Sequence, residues 1–331
     1  MRLAFLALGF VSLAFGIAGG LARVSAIDVR LSAVALHGAL MVSAFFGTVI
    51  SLERAVALGR VWGYAAPLCA GLGGLYLIGG APNDGFIALT LGSAMLVAMS
   101  VAIVARQRSV EMATLLAGAL AWLVGNASVF FGLPFVPWWI AFFALTIAAE
   151  RLELSRYRRR SAFARRAFIA LAIGLLLTPL APRLLGGVLV LLAAWLGAYD
   201  LARVTVRQSK LPRYAAVCLL AGYFWLGVGG TLLALTVAYD AALHAIFVGF
   251  VFSMVFGHAP IILPAVLGAA FPYRPILYLP LALLHVSLAL RMWNTQLGAW
   301  GNAAAIALFV LTALALVILV DRRQGARAAP R

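Results

Sequence analysis

Charge is scarce in this chain, and acid is scarcer. Charged residues make up 10% of 331, with nine Asp and Glu against 25 Lys and Arg. A soluble domain is about a quarter charged and near half apolar, whereas here 65% of residues are hydrophobic and the mean hydropathy is +1.09. These values exclude an ordinary soluble protein and describe a polytopic membrane protein. The net charge of +16 does not mark a nucleic-acid binder. Arginine supplies most of it and clusters in short loops between apolar runs, the positive-inside pattern of membrane proteins. Cysteine is nearly absent. Cys69 and Cys218 lie inside apolar runs without CxxC spacing, so they read as small core residues rather than a disulfide or metal pair. No GxGxxG, Walker or HExxH pattern occurs, and no serine–histidine arrangement suggests hydrolysis. No internal repeat stands out from the sequence alone.

Long apolar runs are what the chain does have. At about 20 residues per crossing, the sequence predicts an all-α polytopic membrane protein of about twelve transmembrane helices, at 3–22, 31–53, 61–80, 84–105, 111–131, 135–153, 165–181, 184–203, 213–237, 240–266, 275–293 and 298–320. The run after Arg2 lacks a small-x-small cleavage site and leads straight into further spans, so it reads as a mature helix and not a signal peptide. Turn chemistry marks the breaks at Gly79-Gly80-Ala81-Pro82-Asn83-Asp84, at Gly132-Leu133-Pro134 and from Thr178 to Pro182. With the N-terminus in the cytoplasm, every Lys and Arg except Arg23, Arg30, Arg183 and Arg291 falls inside, so both termini are expected to be cytoplasmic. The chain then forms a single transmembrane domain, 1–331, of two six-helix halves, 1–155 and 165–321. A basic cytoplasmic loop, Arg156-Tyr157-Arg158-Arg159-Arg160, joins them. That loop reads as an inside charge signal touching lipid headgroups, or as a docking site for an acidic partner.

The histidines carry the functional signal. There are four, His37, His244, His258 and His285, and each falls inside a predicted span. An ionisable residue at that depth is a functional-site hypothesis by default. At about 1.5 Å per residue, His37, His244 and His285 each lie roughly 6–9 Å below the outer surface. His258 lies fourteen residues beyond His244, roughly 21 Å deeper. The plain reading of any one of them is an interhelical hydrogen-bonding residue, but three at one depth favour a shared role. Neutral imidazole is a common ligand of heme iron, copper and zinc, and two imidazoles can form the axial pair of a low-spin heme. Small residues leave room nearby: Gly38, Ala39 and Gly47 on the second span, Ala245, Gly249 and Ser253 on the tenth. They also serve plain helix packing. His258 and Met254, one turn apart, pair imidazole with thioether, a donor set that suits copper. The alternative for His258 is a hydrogen-bonded residue beside Pro260. Arg30 and Arg291, with Asp240, lie at the outer edge, where arginine forks can pair with heme propionates or snorkel to headgroups. Glu53-Arg54 and Glu150-Arg151 with Glu153 read as interfacial ion pairs or a proton entry. Asn126, Thr90, Tyr223, Trp225 and Asn302 read as interhelical hydrogen-bonders.

His37-Gly38-Ala39-Leu40-Met41 opening the second span, and His244 with Val251-Phe252-Ser253-Met254 in the tenth, resemble the large subunit of heme–copper oxidases and nitric oxide reductases. The resemblance implies that His37 and His244 are the axial ligands of a low-spin b-type heme, with His285 a reserve ligand or part of a second site. The chain departs from that family. Its sixth and seventh spans carry no histidine and the tenth lacks a paired His-x-His, so the copper-B ligands and a second heme are not implied. The plan is also similar to the NnrS family, heme- and copper-containing membrane proteins of twelve spans linked to nitric oxide metabolism. The expectation is therefore a heme protein of the bacterial inner membrane, without a binuclear reductase site. It would act in electron transfer or in nitric oxide- or oxygen-linked respiration, beside a redox partner or another respiratory subunit. The alternatives are a transporter or metal permease with histidines along its path, or a structural subunit of a respiratory complex. A transporter of this size should break its helices at corresponding places, and Pro260 and Pro264 have no counterpart at the end of the fourth span. Reporter fusions at Arg331 and at Pro82 should signal from opposite sides of the membrane, and matching signals would refute the assigned topology.

Overall fold

The computed structural model describes residues 2–25, 32–155, 161–268 and 271–328, all of them helix or short connector. The basic run from Arg156 to Arg160 and the edge arginine Arg30 lie outside the described residues. The helices are α1 (Arg2–Ser25), α2 (Ser32–Ala39), α3 (Gly47–Leu58), α4 (Ala65–Ile78), α5 (Pro82–Arg106), α6 (Val110–Ser128), α7 (Val136–Leu154), α8 (Ala162–Leu177), α9 (Pro182–Tyr199), α10 (Ala202–Thr205), α11 (Lys210–Ala234), α12 (Tyr239–His244), α13 (Ser253–Leu267), α14 (Tyr278–Arg291) and α15 (Thr295–Ala328). Two wider π-helical segments join helices end to end, Leu40–Phe46 between α2 and α3 and Ala245–Phe252 between α12 and α13. Among the described residues, nine helices are long and apolar enough to cross a membrane, with Val34–Leu58 and Tyr239–Pro264 each running through a π segment. Three others fall short. α7 carries Glu150, Arg151 and Glu153, α8 has 16 residues, and the helix over Pro275–Arg291 is shorter than a full span. Apolar side chains such as Ile87, Leu91, Leu191 and Leu311 stay exposed along the helices, as they do against lipid tails. Pro260 and Pro264 do not break their helix, because α13 runs through both.

The chain forms two compact units, Met1–Leu192 with Leu233–Thr236, and Ala193–Leu232 with Val237–Arg331. Local packing shows a repeat that the sequence does not announce. In three places a helix carrying two glycines seven residues apart lies against the helix that follows it. A Cβ on Gly9 would sit 3.6 Å from Phe45, and one on Gly16 2.6 Å from Met41. A Cβ on Gly118 would sit 3.3 Å from the Phe142 carbonyl oxygen, and one on Gly125 2.8 Å from Trp139. The third pair repeats this, with Gly222 3.3 Å from the Phe250 carbonyl oxygen and Gly229 2.6 Å from Ile246. These contacts align Phe45 with Phe142 and Phe250. The sequence agrees for the first two. Ala44-Phe45-Phe46, Ile50 and Glu53-Arg54 recur at the same spacing as Ala141-Phe142-Phe143, Ile147 and Glu150-Arg151. The first and third copies also match beyond the contact. Gly59 and Gly268 end α3 and α13 in the left-handed conformation, at φ 64° and 70°. Arg60 and Arg274, both extended, then start a short 3-10 turn that leads to Tyr64 and Tyr278.

In the first unit, equivalent residues of two copies touch each other. The rings of Phe46 and Phe143 lie 5.0 Å apart edge to face, and farther along Arg54 Nη2 donates to Glu150 Oε1 at 2.6 Å. Contact at both levels means that α3 and α7 run parallel and in register. An ion pair expected at the span ends thus forms between helices, from Arg54 to Glu150.

Close backbone approach should set stability. Gly249→Ala would place a methyl 2.4 Å from Trp225 Cγ, an overpacked contact that should cost about 1–3 kcal/mol. Gly187→Ala meets nothing within 4 Å and should leave the thermal midpoint of the purified protein unchanged. Equal midpoints for the two variants would refute this packing.

Candidate functional site

Each π segment seats a tryptophan. A Cβ on Gly47, at the end of the first segment, would lie 2.3 Å from Trp122 Cζ2, and one on Gly249, within the second, 2.4 Å from Trp225 Cγ. The wider turn and the missing side chain let an indole lie against the backbone. A π bulge inside a helix is often found at a functional site, and a buried indole N–H needs an acceptor.

Trp122 donates to Ser43 Oγ at 2.8 Å, and Ser43 donates to Asn126 Oδ1 at 2.8 Å. Trp139 donates to the same oxygen at 3.1 Å, and Asn126 Nδ2 donates to the Leu89 carbonyl at 3.2 Å. All four side chains are buried. Asn126 was legible as an interhelical hydrogen-bonder. Ser43, Trp122 and Trp139 were missed, although a hydroxyl and two indoles inside apolar runs were signals that partners must exist.

Trp225 donates to His285 Nδ1 at 3.0 Å. Indole has only a donor, so Nδ1 accepts and the imidazole proton sits on Nε2. That N–H faces Ser253 Oγ at 3.4 Å, and the Ser253 hydroxyl donates to the Cys218 carbonyl at 2.7 Å. Both nitrogens of His285 are thus engaged in a chain joining α11, α14 and α13. The arrangement is that of a structural histidine, because a metal at either nitrogen would have to displace one of these partners.

His244 is set differently. Its Nδ1–H donates to the Asp240 carbonyl at 2.8 Å, and Asp240 Oδ2 lies 3.4 Å away. Arg291 is 6% exposed and donates through Nη2 to Asp240 Oδ2 at 3.0 Å. One arm of the guanidinium that was a candidate for a propionate is engaged by this carboxylate, and Nη1 reaches the Thr295 carbonyl at 3.4 Å. His258 Nδ1–H likewise donates to the Met254 carbonyl at 2.8 Å. The Met254 thioether methyl packs over Gly222.

His37 lies in the first unit and the other three histidines in the second. Arg23 Nη1 approaches His37 Nδ1 at 3.2 Å. Arginine only donates, so Nδ1 accepts and the neutral ring carries its proton on Nε2. In the register of the repeat the counterpart of His37 is Ala242, since their carbonyls meet Gly16 and Gly229 alike. His244 stands two residues farther on. Of the remaining polar candidates, Asn302 accepts from Ser287 at 2.6 Å between α14 and α15. Thr90 is not interhelical. Its hydroxyl bonds back to the Phe86 carbonyl of its own helix at 2.7 Å, as threonine does inside helices. Among the described residues no three of His, Cys, Asp and Glu gather as a metal set.

His285→Leu would leave the buried Trp225 N–H without an acceptor, at a cost of about 1–3 kcal/mol. The thermal midpoint should fall, and His285→Gln, which can still accept, should recover part of the loss. An unchanged midpoint for His285→Leu would show that the chain of hydrogen bonds carries no stability.

The chain matches a family model described as a domain of unknown function, DUF8744, over residues 2–318. No curated protein and no solved structure matches it. That match runs through all three repeats, both π segments and all four histidines, and on it the chain belongs to the DUF8744 family.

Proposed function

We propose that this is a heme-binding membrane protein of the bacterial inner membrane that passes single electrons or handles a diatomic gas, with His244 and His37 as iron ligands. On this reading α7, α8 and the helix over Pro275–Arg291 also cross the bilayer, giving twelve spans with both termini cytoplasmic. The observation that carries the reading is the posture of His244. Its Nδ1–H is held by the Asp240 carbonyl at 2.8 Å, the hydrogen bond that fixes the tautomer and orientation of a ligating imidazole. The neighbouring π segment supports it, as does the corresponding one three residues after His37. Donor chemistry fits heme iron at His244 as it stands. At His37 it fits once the Arg23 contact is released, because that contact keeps the proton on Nε2. His285 does not fit, with both nitrogens engaged. Bound heme would supply a one-electron couple, and the protein would orient the imidazoles and keep water away.

A transporter remains the second reading on one specific ground. π segments interrupt corresponding membrane helices in the first and third repeats, and interrupted helices at matching positions often surround a transported substrate.

A spectrum of the purified protein, expressed with heme supplied, separates the two. The heme reading expects a Soret band and, on reduction, sharp low-spin bands. His244→Ala and His37→Ala should each convert that iron to high spin or lose it, and His285→Ala should keep it. No Soret band would reject the heme. Substrate uptake into vesicles that requires His244 would then favour the transporter.

A further inference from the structure

The connector between α9 and α11 concentrates cations within a short stretch of chain. Arg203 and Arg207 lie within it, and Lys210 and Arg213 fall in the first turn of α11, all four exposed. The stretch has one carboxylate, and it faces inward. Asp200 is 2% exposed, and its Oδ1 accepts the Ala202 N–H at 2.6 Å, which starts the short helix α10 over buried Ala202. Two of the guanidiniums are braced by backbone, Arg203 on the Ala198 carbonyl and Arg213 on the Val206 carbonyl at 3.2 Å. Both flanking helices, Pro182–Tyr199 and Lys210–Ala234, are long and apolar enough to cross a membrane. A connector this short between two spans stays at the level of the lipid headgroups. Another short basic connector, with Arg106 and Arg108, is followed at once by Glu111 in the first turn of α6, so its charge is partly offset.

We infer that Arg203, Arg207, Lys210 and Arg213 form a binding site for the phosphodiester of an anionic phospholipid. Guanidinium forks match phosphate oxygens in pairs, and the braced geometry lowers the ordering cost of binding. Basic sites of this kind between membrane helices select anionic headgroups over zwitterionic ones. The inference is independent of the heme reading, since it uses no histidine and no residue of the π segments.

The test is native mass spectrometry of the full chain in mixed micelles of phosphatidylglycerol and phosphatidylcholine, scoring which lipid stays bound. The intact protein should retain phosphatidylglycerol preferentially, and raised salt should erase the preference. Each cation removed should weaken retention about fivefold. The combined Arg203→Gln, Arg207→Gln, Lys210→Gln and Arg213→Gln variant should therefore lose most of the preference, keeping only what the Arg156–Arg160 loop supplies, while Arg106→Gln with Arg108→Gln should keep it in full. Arg203→Lys with Arg207→Lys and Arg213→Lys preserves the charge and should keep most of it. If the combined Gln variant fails to fold, this charge-preserving variant and the salt dependence of the intact protein decide the question. Undiminished preference in the Gln variant, equal loss in the Arg106 and Arg108 control, or a preference indifferent to salt would each overturn the site. Poly-glutamate binding that depends on the four cations, without any lipid preference, would overturn it in favour of an acidic protein partner.

Discussion

Backbone proximity is the constraint on which the rest of this molecule depends. Between helices in lipid there is little water to strip away, so association rests on dispersion and on how closely the backbones approach. The chain meets this three times with the same device, two glycines seven residues apart on one helix and the next helix laid across them. At Gly125 and Gly229 an added methyl would fall within 2.8 Å of a neighbouring side chain. The crossing fixes the depth and rotation of the second helix in each repeat. In the first unit that rotation brings Phe46 onto Phe143 and Arg54 onto Glu150. The interior charges are thus a result of helix placement, and their pairing satisfies the rule that ions in a span must find partners.

The same placement explains the π segments. Each lies where a tryptophan is laid against a glycine, Trp122 on Gly47 and Trp225 on Gly249. A π turn keeps its backbone hydrogen bonds while widening the helix, which a bilayer requires of any irregular stretch. Once seated, each indole must donate. Trp122 finds Ser43 and, through it, Asn126, while Trp225 finds His285. Two local networks of different composition thus answer one need. The second absorbs a histidine that, by depth alone, looks like a ligand.

Much of the plan was legible in the sequence and some of it was not, for identifiable reasons. The helices were readable because a crossing demands about 20 apolar residues and leaves a mark of that length. The repeat was not, because its signature common to all three copies is a spacing of glycines in a chain with 32 of them, and the recurring side chains are few and confined to two copies. Only contact shows which glycines are paired. The π segments carry no proline, whereas the prolines that suggested a break, Pro260 and Pro264, sit inside a continuous helix. Membrane helices tolerate such prolines where neighbouring groups satisfy the freed carbonyls. Asn126 and Asn302 were correctly read as interhelical, since an amide in hydrocarbon has few other options. Thr90 was misread because a threonine can satisfy itself on its own helix.

The histidines show how far depth can be trusted. Depth follows from counting residues, and by that count His37, His244 and His285 are alike. Direction and tautomer depend on neighbours, and there the three differ. Arg23 forces His37 to accept at Nδ1, the Asp240 carbonyl forces His244 to donate at Nδ1, and Trp225 and Ser253 occupy both sides of His285. The register adds a further distinction. His244 stands two residues beyond the position equivalent to His37, and two residues turn a helix by about 200°. In the shared frame of their repeats the two imidazoles therefore leave opposite sides of the second helix. His37 points back toward the first helix, where Arg23 meets it, and His244 points away from its own. The two histidines are therefore not symmetric copies of one another, and the Arg23 contact, not depth, sets which nitrogen of His37 carries its proton.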